Sequence, residues 1–174
     1  MDEYLFEARE ELKRLEHIIY VSLKYTRTVD VIIGALNRLI NVNDLIIEAF
    51  FIKAQKEDPK VILPKSPALR ATRLAEMFPE DKDLQKYLAF YGFLKTVLKS
   101  PYKRREEFRR HVTLIVDLDI STAEIDIDNL TSCEKFVHKF YRYALEKLLG
   151  IKEEEWNMPT SLPQQYYDKI KSQG

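Results

Sequence analysis

The sequence predicts a mainly α-helical protein, a four- to six-helix bundle with one β-hairpin inserted around residues 111–127. Apolar residues recur every three or four positions along most of the 174-residue chain, as in amphipathic helices that share one core. The periodicity changes near the middle of the chain, where Ala123 to Ile127 alternates apolar and acidic side chains, as a strand does. Hydrophobic residues make up 45% of the chain and charged residues 32%, which is a globular composition.

The first half of the chain contains two long helical patterns. The first runs from about Glu3 to Tyr25, and a second pattern follows it to about Glu57. Thr28 is a candidate N-cap of the second helix. Gly34 lies inside that helix at a cost of about 1 kcal/mol relative to Ala. Close contact with another helix at Gly34 is one reason for the fold to accept that cost.

The second half begins with helices whose starts are marked by Ser-Pro or acidic residues. One is predicted from Pro67 to Phe78, and a second one ends at about Lys99. Ser100-Pro101 repeats the start signal and predicts a short basic helix to about Arg110. After the hairpin, Asn129 or Thr131 opens a last long helix that ends at the capping residue Gly150.

Residues 1–150 are predicted to form the bundle domain, and residues 151–174 a tail whose short helix packs on the bundle. The acidic N-terminus resembles no secretory or transit peptide, and no apolar run is long enough for a bilayer. A single cysteine, Cys133, fits a reducing compartment. We therefore expect a cytoplasmic protein without membrane contact.

The common cofactor and metal motifs do not occur in the sequence. It has neither a Gly-rich phosphate loop nor a G-x-S-x-G elbow, and one cysteine excludes zinc sites built on several cysteines. Glu134 and His138 lie four residues apart on one predicted helix face, which we interpret as a surface pair. No cofactor and no metal site are therefore predicted.

The most basic stretch of the chain, Lys95 to His111, predicts a nucleic-acid surface. Clustered Lys and Arg bind phosphates, and interleaved aromatic side chains stack on unpaired bases. The candidate binding residues are Lys99, Tyr102, Lys103, Arg109 and Arg110. The alternative is that the acidic hairpin folds back and neutralises them, through Asp117, Asp119, Glu124, Asp126 and Asp128.

Arg105 and His111 are separated by five residues, and Arg104 and His111 by six. This spacing, followed by a final long helix, resembles the HEPN superfamily of small helical bundles, which are commonly dimeric. The resemblance implies metal-independent RNA cleavage or a nucleotidyltransferase partner. It also implies that His111 acts as a general acid or base, and that Arg104 or Arg105 holds the scissile phosphate.

Three functions remain open from the sequence. The first is a helical-bundle interaction protein that self-associates as a homodimer. The second is an HEPN-like RNA-binding protein or ribonuclease that uses Arg104, Arg105 and His111 as catalytic residues. The third is a small-molecule site between bundle helices, for which Arg38 and Asp44 are candidates because they lie in an otherwise apolar helix.

Overall fold

The computed structural model describes residues 2–151, in which five helices pack with one three-stranded antiparallel sheet. The first helix, α1, continues through a π-helical turn at Ile18–Ser22 and a further α-helical turn at Leu23–Tyr25. The elements are α1 (Asp2–His17), α2 (Val29–Glu57), α3 (Pro67–Met77), α4 (Lys82–Lys99), β1 (Tyr102–Arg105), β2 (Thr113–Asp117), β3 (Thr122–Ile125) and α5 (Ile127–Leu149). The predicted class, mainly α with an inserted hairpin, is confirmed. The predicted tail helix lies outside the described residues.

Helix α2 is the centre of the bundle because it packs against α1, α3, α4 and α5. Its buried stripe includes Ile32, Leu36, Leu39 and Ile46, each fully removed from solvent. The predicted cap is confirmed, since the side chain of Thr28 accepts a hydrogen bond from the Val31 amide. Close helix contact does not explain Gly34, because a Cβ there would meet nothing within 4 Å.

Helix α5 lies across α1 and α2 and begins earlier than predicted. Asp126 caps it by accepting from the Asn129 amide, while the Asn129 side chain accepts from the Asp126 amide. This reciprocal pair places the first helical residue at Ile127. The helix ends at Gly150 in the left-handed conformation, with φ of +69°, as predicted.

The sheet contains the predicted hairpin and one strand that was not predicted. β2 is the central strand, and it pairs with β3 on one side and β1 on the other. The predicted basic helix up to Arg110 is wrong, because Tyr102–Arg105 forms the exposed edge strand β1. Backbone pairing with β2 outweighs the local helix-start signal at Ser100-Pro101. The Asp117 amide extends that pairing by donating to the Pro101 carbonyl.

The loop between β1 and β2 docks onto the junction of α1 and α2. The Phe108 amide donates to the Arg27 carbonyl at 2.6 Å, and the Glu107 carboxylate accepts from the Val29 amide at 3.2 Å. Glu106 and Phe108 have φ values of +53° and +65°, which residues with a side chain rarely adopt. Tertiary contacts therefore hold this loop in a strained conformation beside α1.

A helix that crosses a bilayer needs a long and predominantly apolar stretch. Among the helices in residues 2–151, none has the length and apolarity that crossing a membrane requires.

Candidate functional site

A cleft of about 330 Å³ opens where the docked loop meets the end of α1 and the start of α5. We call it the His111 cleft. Three separate segments supply its walls because the loop is anchored at residues 27–29. Its lining residues are Ile19, Tyr20, Leu23, Lys24, Arg27, Arg110, His111, Asp126, Ile127, Asp128 and Thr131.

The His111 cleft carries both positive and negative side chains. Lys24, Arg27 and Arg110 supply three cations, and none of them has a carboxylate oxygen within 4.0 Å among residues 2–151. The Nε atom of Arg27 is buried without a hydrogen-bond partner in the same part of the chain. Asp126, the N-cap of α5, and Asp128, in its first turn, also line the cleft. An anion that entered the cleft would therefore meet three cations that have no carboxylate partner within residues 2–151.

Arg104 and Arg105, the predicted catalytic arginines, bind carboxylates of the chain itself. Arg104 donates to Asp30 at 2.8 Å and to Glu107 at 3.1 Å. These bonds raise the pKa of its guanidinium. Neither arginine lines the cleft that His111 lines. The cleft thus brings His111 together with Arg110 and Arg27 instead of Arg104 and Arg105.

The other predicted nucleic-acid residues are divided between several surfaces. Lys103 and Arg109 are exposed, on β1 and on the docked loop respectively. Lys99 lines a different groove, between α3 and α4. Tyr102 is 45% exposed, and the Arg104 guanidinium lies 5.6 Å from the centre of its ring. Of the five predicted binding residues, only Arg110 lines the cleft.

Arg38 and Asp44, the predicted small-molecule residues, contact different neighbours. Arg38 binds Glu11 of α1 with Nη1 at 3.0 and 3.1 Å. Asp44 accepts a hydrogen bond from the Tyr91 hydroxyl of α4. Burial raises the pKa of Asp44, whereas the bond from Tyr91 opposes that rise. The two side chains join α2 to two separate helices and do not converge on one site.

A second polar cluster lies further along the interface of α1 and α5. Glu16, Glu134 and His138 place one ligand atom each within 4.8 Å of one another; we call them the carboxylate–histidine cluster. The Nε2 atom of His138 is 3.1 Å from Oε1 of Glu16 and 2.9 Å from Oε1 of Glu134. The Tyr20 hydroxyl, in the π-helical turn, donates to Oε2 of Glu134 at 3.4 Å.

The carboxylate–histidine cluster is buried, which corrects the interpretation of Glu134 and His138 as a surface pair. Glu134 is 4% exposed and His138 is 5% exposed. Burial raises the pKa of Glu16, and the nearby Glu134 carboxylate acts in the same direction, while His138 lowers it. Burial also raises the pKa of Tyr20. Two carboxylates thus meet at a place where water solvates them poorly.

The sequence indicated only parts of these two sites. Lys24 and Arg27 lie more than eighty positions before His111, and Glu16 lies 122 positions before His138. Spacing within one helix cannot reveal partners that far apart in the chain. The local signal for the second site was the four-residue spacing of Glu134 and His138. The signal for the first was the interruption of the helical pattern at Thr26 to Thr28.

Comparison with known proteins identifies no relative. No family model, no curated protein and no solved structure matches the chain.

Proposed function

We propose that the protein binds single-stranded RNA, with the phosphate backbone seated in the His111 cleft. The observation that carries this proposal is the gathering of Lys24, Arg27, Arg110 and His111 around one opening. Lys24 and Arg110 support it most strongly, because both side chains are exposed and neither has a carboxylate oxygen within 4.0 Å in residues 2–151. A phosphate oxygen is a suitable acceptor, since hydrogen bonds between guanidinium and phosphate are charge-assisted.

Exposed aromatic side chains beside the cleft favour RNA over a small phosphorylated ligand. Phe108 is 77% exposed, although its backbone is fixed by the bond to the Arg27 carbonyl. Tyr25, two residues before Arg27, is 85% exposed. Unpaired bases stack on such rings, which contributes about 1–3 kcal/mol per base. A flexible single strand can satisfy both the rings and the cations, whereas a duplex keeps its bases stacked inside.

The aspartates of the cleft fit the same proposal. Asp126 and Asp128 line the cleft together with the cations. Carboxylates accept hydrogen bonds from the exocyclic amines of bases and from ribose hydroxyls. The mixed charge of the cleft therefore suits a nucleotide, which presents both a phosphate and hydrogen-bond donors.

RNA cleavage, the HEPN-like function, is the second form of this proposal. His111 and Arg110 are both exposed and line the same cleft, so a general acid or base and a cation occur in one site. Arg104 and Arg105 would contribute only after release from their carboxylates. In this form of the proposal, His111 therefore acts together with Arg110 and Arg27.

Fluorescence anisotropy with a labelled single-stranded RNA of about 12 nucleotides tests binding. We expect Arg27→Ala and Arg110→Ala each to weaken binding about tenfold, because each removes a charge-assisted contact to phosphate. Arg105→Ala is the matched control, since that guanidinium is bound by Glu124. Equal affinities for the wild type and the cleft variants would refute the proposal.

A second assay separates binding from cleavage. The same RNA is incubated with wild type and with His111→Ala in the presence of EDTA. Cleavage by the wild type alone supports the ribonuclease form. Cleavage by neither protein, or by both equally, would refute the ribonuclease function of the cleft. RNA binding would then be judged from the anisotropy data alone.

Self-association as a homodimer and a nucleotidyltransferase partner remain proposals from the sequence. Light scattering of the purified chain measures the oligomeric state directly. A mass equal to one chain of 20.6 kDa would argue against the homodimer.

A further inference from the structure

The carboxylate–histidine cluster has no role in the proposed RNA contacts. Its three side chains come from the two helices that also form the wall of the His111 cleft, but they line a separate groove of about 530 Å³. Tyr20 lines both openings. The cluster therefore lies next to the cleft and contains different titratable groups.

The three side chains of the cluster do not balance each other in charge. Glu16 and Glu134 bring two carboxylates, and a protonated His138 would supply a single positive charge. In residues 2–151, no Lys or Arg nitrogen lies within 4.0 Å of either carboxylate. Buried charges are normally paired or bound to a metal, because burial without a partner is costly. Lys13 acts on Glu16 from beyond that distance, and Lys135, Lys139 and Arg142 line the same groove, so cations lie near the cluster but none contacts its carboxylates within residues 2–151.

The hydrogen bonding within the cluster is also incomplete. The Nε2 atom of His138 faces two carboxylate oxygens at 2.9 and 3.1 Å, and a single N–H donates well to only one of them. Its Nδ1 atom is buried with no hydrogen-bond partner among the described residues. A histidine that is 5% exposed therefore has one nitrogen with too many acceptors and another with none.

We propose that Glu16, Glu134 and His138 bind a divalent first-row transition-metal ion. The ion would replace the shared proton, so that the Nε2 lone pair and both carboxylates become ligands. Six-coordinate ions with ligand bonds near 2.1 Å separate adjacent ligand atoms by about 3.0 Å, close to the 3.1 and 2.9 Å between Nε2 of His138 and the two carboxylate oxygens. Two charges on the ion balance two carboxylates and a neutral imidazole.

The donor set indicates which ions bind. Imidazole suits zinc, iron and nickel, whereas carboxylates suit manganese and magnesium, and a mixed set selects Mn²⁺, Fe²⁺ or Zn²⁺ over Ca²⁺. Tyr20 is not one of the proposed ligands. Its hydroxyl donates to Oε2 of Glu134 and so orients that carboxylate. Because no protein group accepts from Nδ1 in the described part, we expect an affinity about 10–100-fold below that of a fully supported site.

Isothermal titration of the tag-free chain with ZnCl₂, and separately with MnCl₂, tests the proposal. We expect one equivalent to bind, and Glu134→Gln and Glu16→Gln each to weaken binding at least tenfold. These variants keep the shape of the side chain and remove its charge. His17→Ala is the matched control because His17 is exposed on α1 and lies outside the cluster.

Two further measurements distinguish loss of metal binding from loss of folding. Circular dichroism confirms that each variant is folded, and thermal unfolding with and without Zn²⁺ should show a metal-dependent rise in Tm for the wild type that Glu134→Gln lacks. Arg27→Ala should keep full metal binding, which separates this site from the RNA proposal. Absence of binding by the wild type, or unchanged binding by both glutamine variants, would overturn the inference.

Discussion

Both terminal nitrogens of Arg105 bind the carboxylate of Glu124, at 2.8 and 3.0 Å, across the central strand of the sheet. In this pair, a carboxylate of the acidic hairpin neutralises a cation of the basic stretch Lys95 to His111. The hydrogen bonds raise the pKa of Arg105 and lower that of Glu124. Neutralisation is selective, because Arg109 and Arg110 have no such partner within residues 2–151.

Removing Glu124 should therefore uncover a cation. We expect Glu124→Gln to raise the affinity for single-stranded RNA by about twofold to fivefold, since the freed Arg105 adds a phosphate contact at the edge of the sheet. Anisotropy at fixed salt measures this change. The double variant that also carries Arg105→Ala is the control and should return to wild-type affinity. A gain that persists in the double variant would mean that Arg105 is not its source.

Glu11 should make stability depend on pH. Burial favours a raised pKa at this side chain, but hydrogen bonds from Arg38, Arg14 and Asn41 outweigh it and lower the pKa. A lowered carboxyl pKa contributes stability that is present above the ordinary value of 4.5 and is lost as the pH falls below it. We expect Glu11→Gln to cost about 2 kcal/mol in the free energy of unfolding at pH 7.

Urea unfolding of wild type and Glu11→Gln between pH 7 and pH 3 measures this effect. The difference in unfolding free energy should shrink as the pH falls below 4.5, because the unfolded state then binds a proton at Glu11 that the folded state, with its lowered pKa, binds only at lower pH. A difference that stays constant over this range would show that the ionised form of Glu11 is not what stabilises the fold.

Two glycines should respond to alanine in opposite directions. Gly34 lies inside α2, where an added methyl group would meet nothing within 4 Å, so Gly34→Ala should stabilise the protein by about 0.5–1 kcal/mol. Gly150 has a φ of +69°, where a side chain is strained, so Gly150→Ala should destabilise it by about 1 kcal/mol. Thermal unfolding compares the two variants, and the same sign for both would contradict this assignment.

The helices could be predicted because their signals are local. A stripe such as Ile32, Leu36 and Leu39 requires burial against something, whatever the partner is. Capping by Thr28 and by Gly150 depends on the residues that immediately flank each helix. The β2–β3 hairpin could be predicted from the alternation of apolar and acidic residues and from the short turn within its own sequence, and it was confirmed.

The features that escaped prediction depend on contacts distant in sequence. Strand β1 has four exposed residues and no alternation of burial, so pairing with β2 alone identifies it. His138 contacts Glu16 of α1, and the His111 cleft depends on a loop that docks at Arg27. The sequence thus indicated His111 as a candidate, but it could not say which arginines would accompany it.

The salt dependence of RNA affinity tests the central claim most directly. For a single strand, the logarithm of the binding constant falls with the logarithm of salt concentration by about 0.7 for each phosphate contact. We predict that the double variant Arg27→Ala, Arg110→Ala reduces this slope by about 1.4 relative to wild type, while Arg105→Ala leaves it unchanged. Identical slopes for wild type and the double variant, or a wild-type slope near zero, would contradict phosphate binding in the His111 cleft.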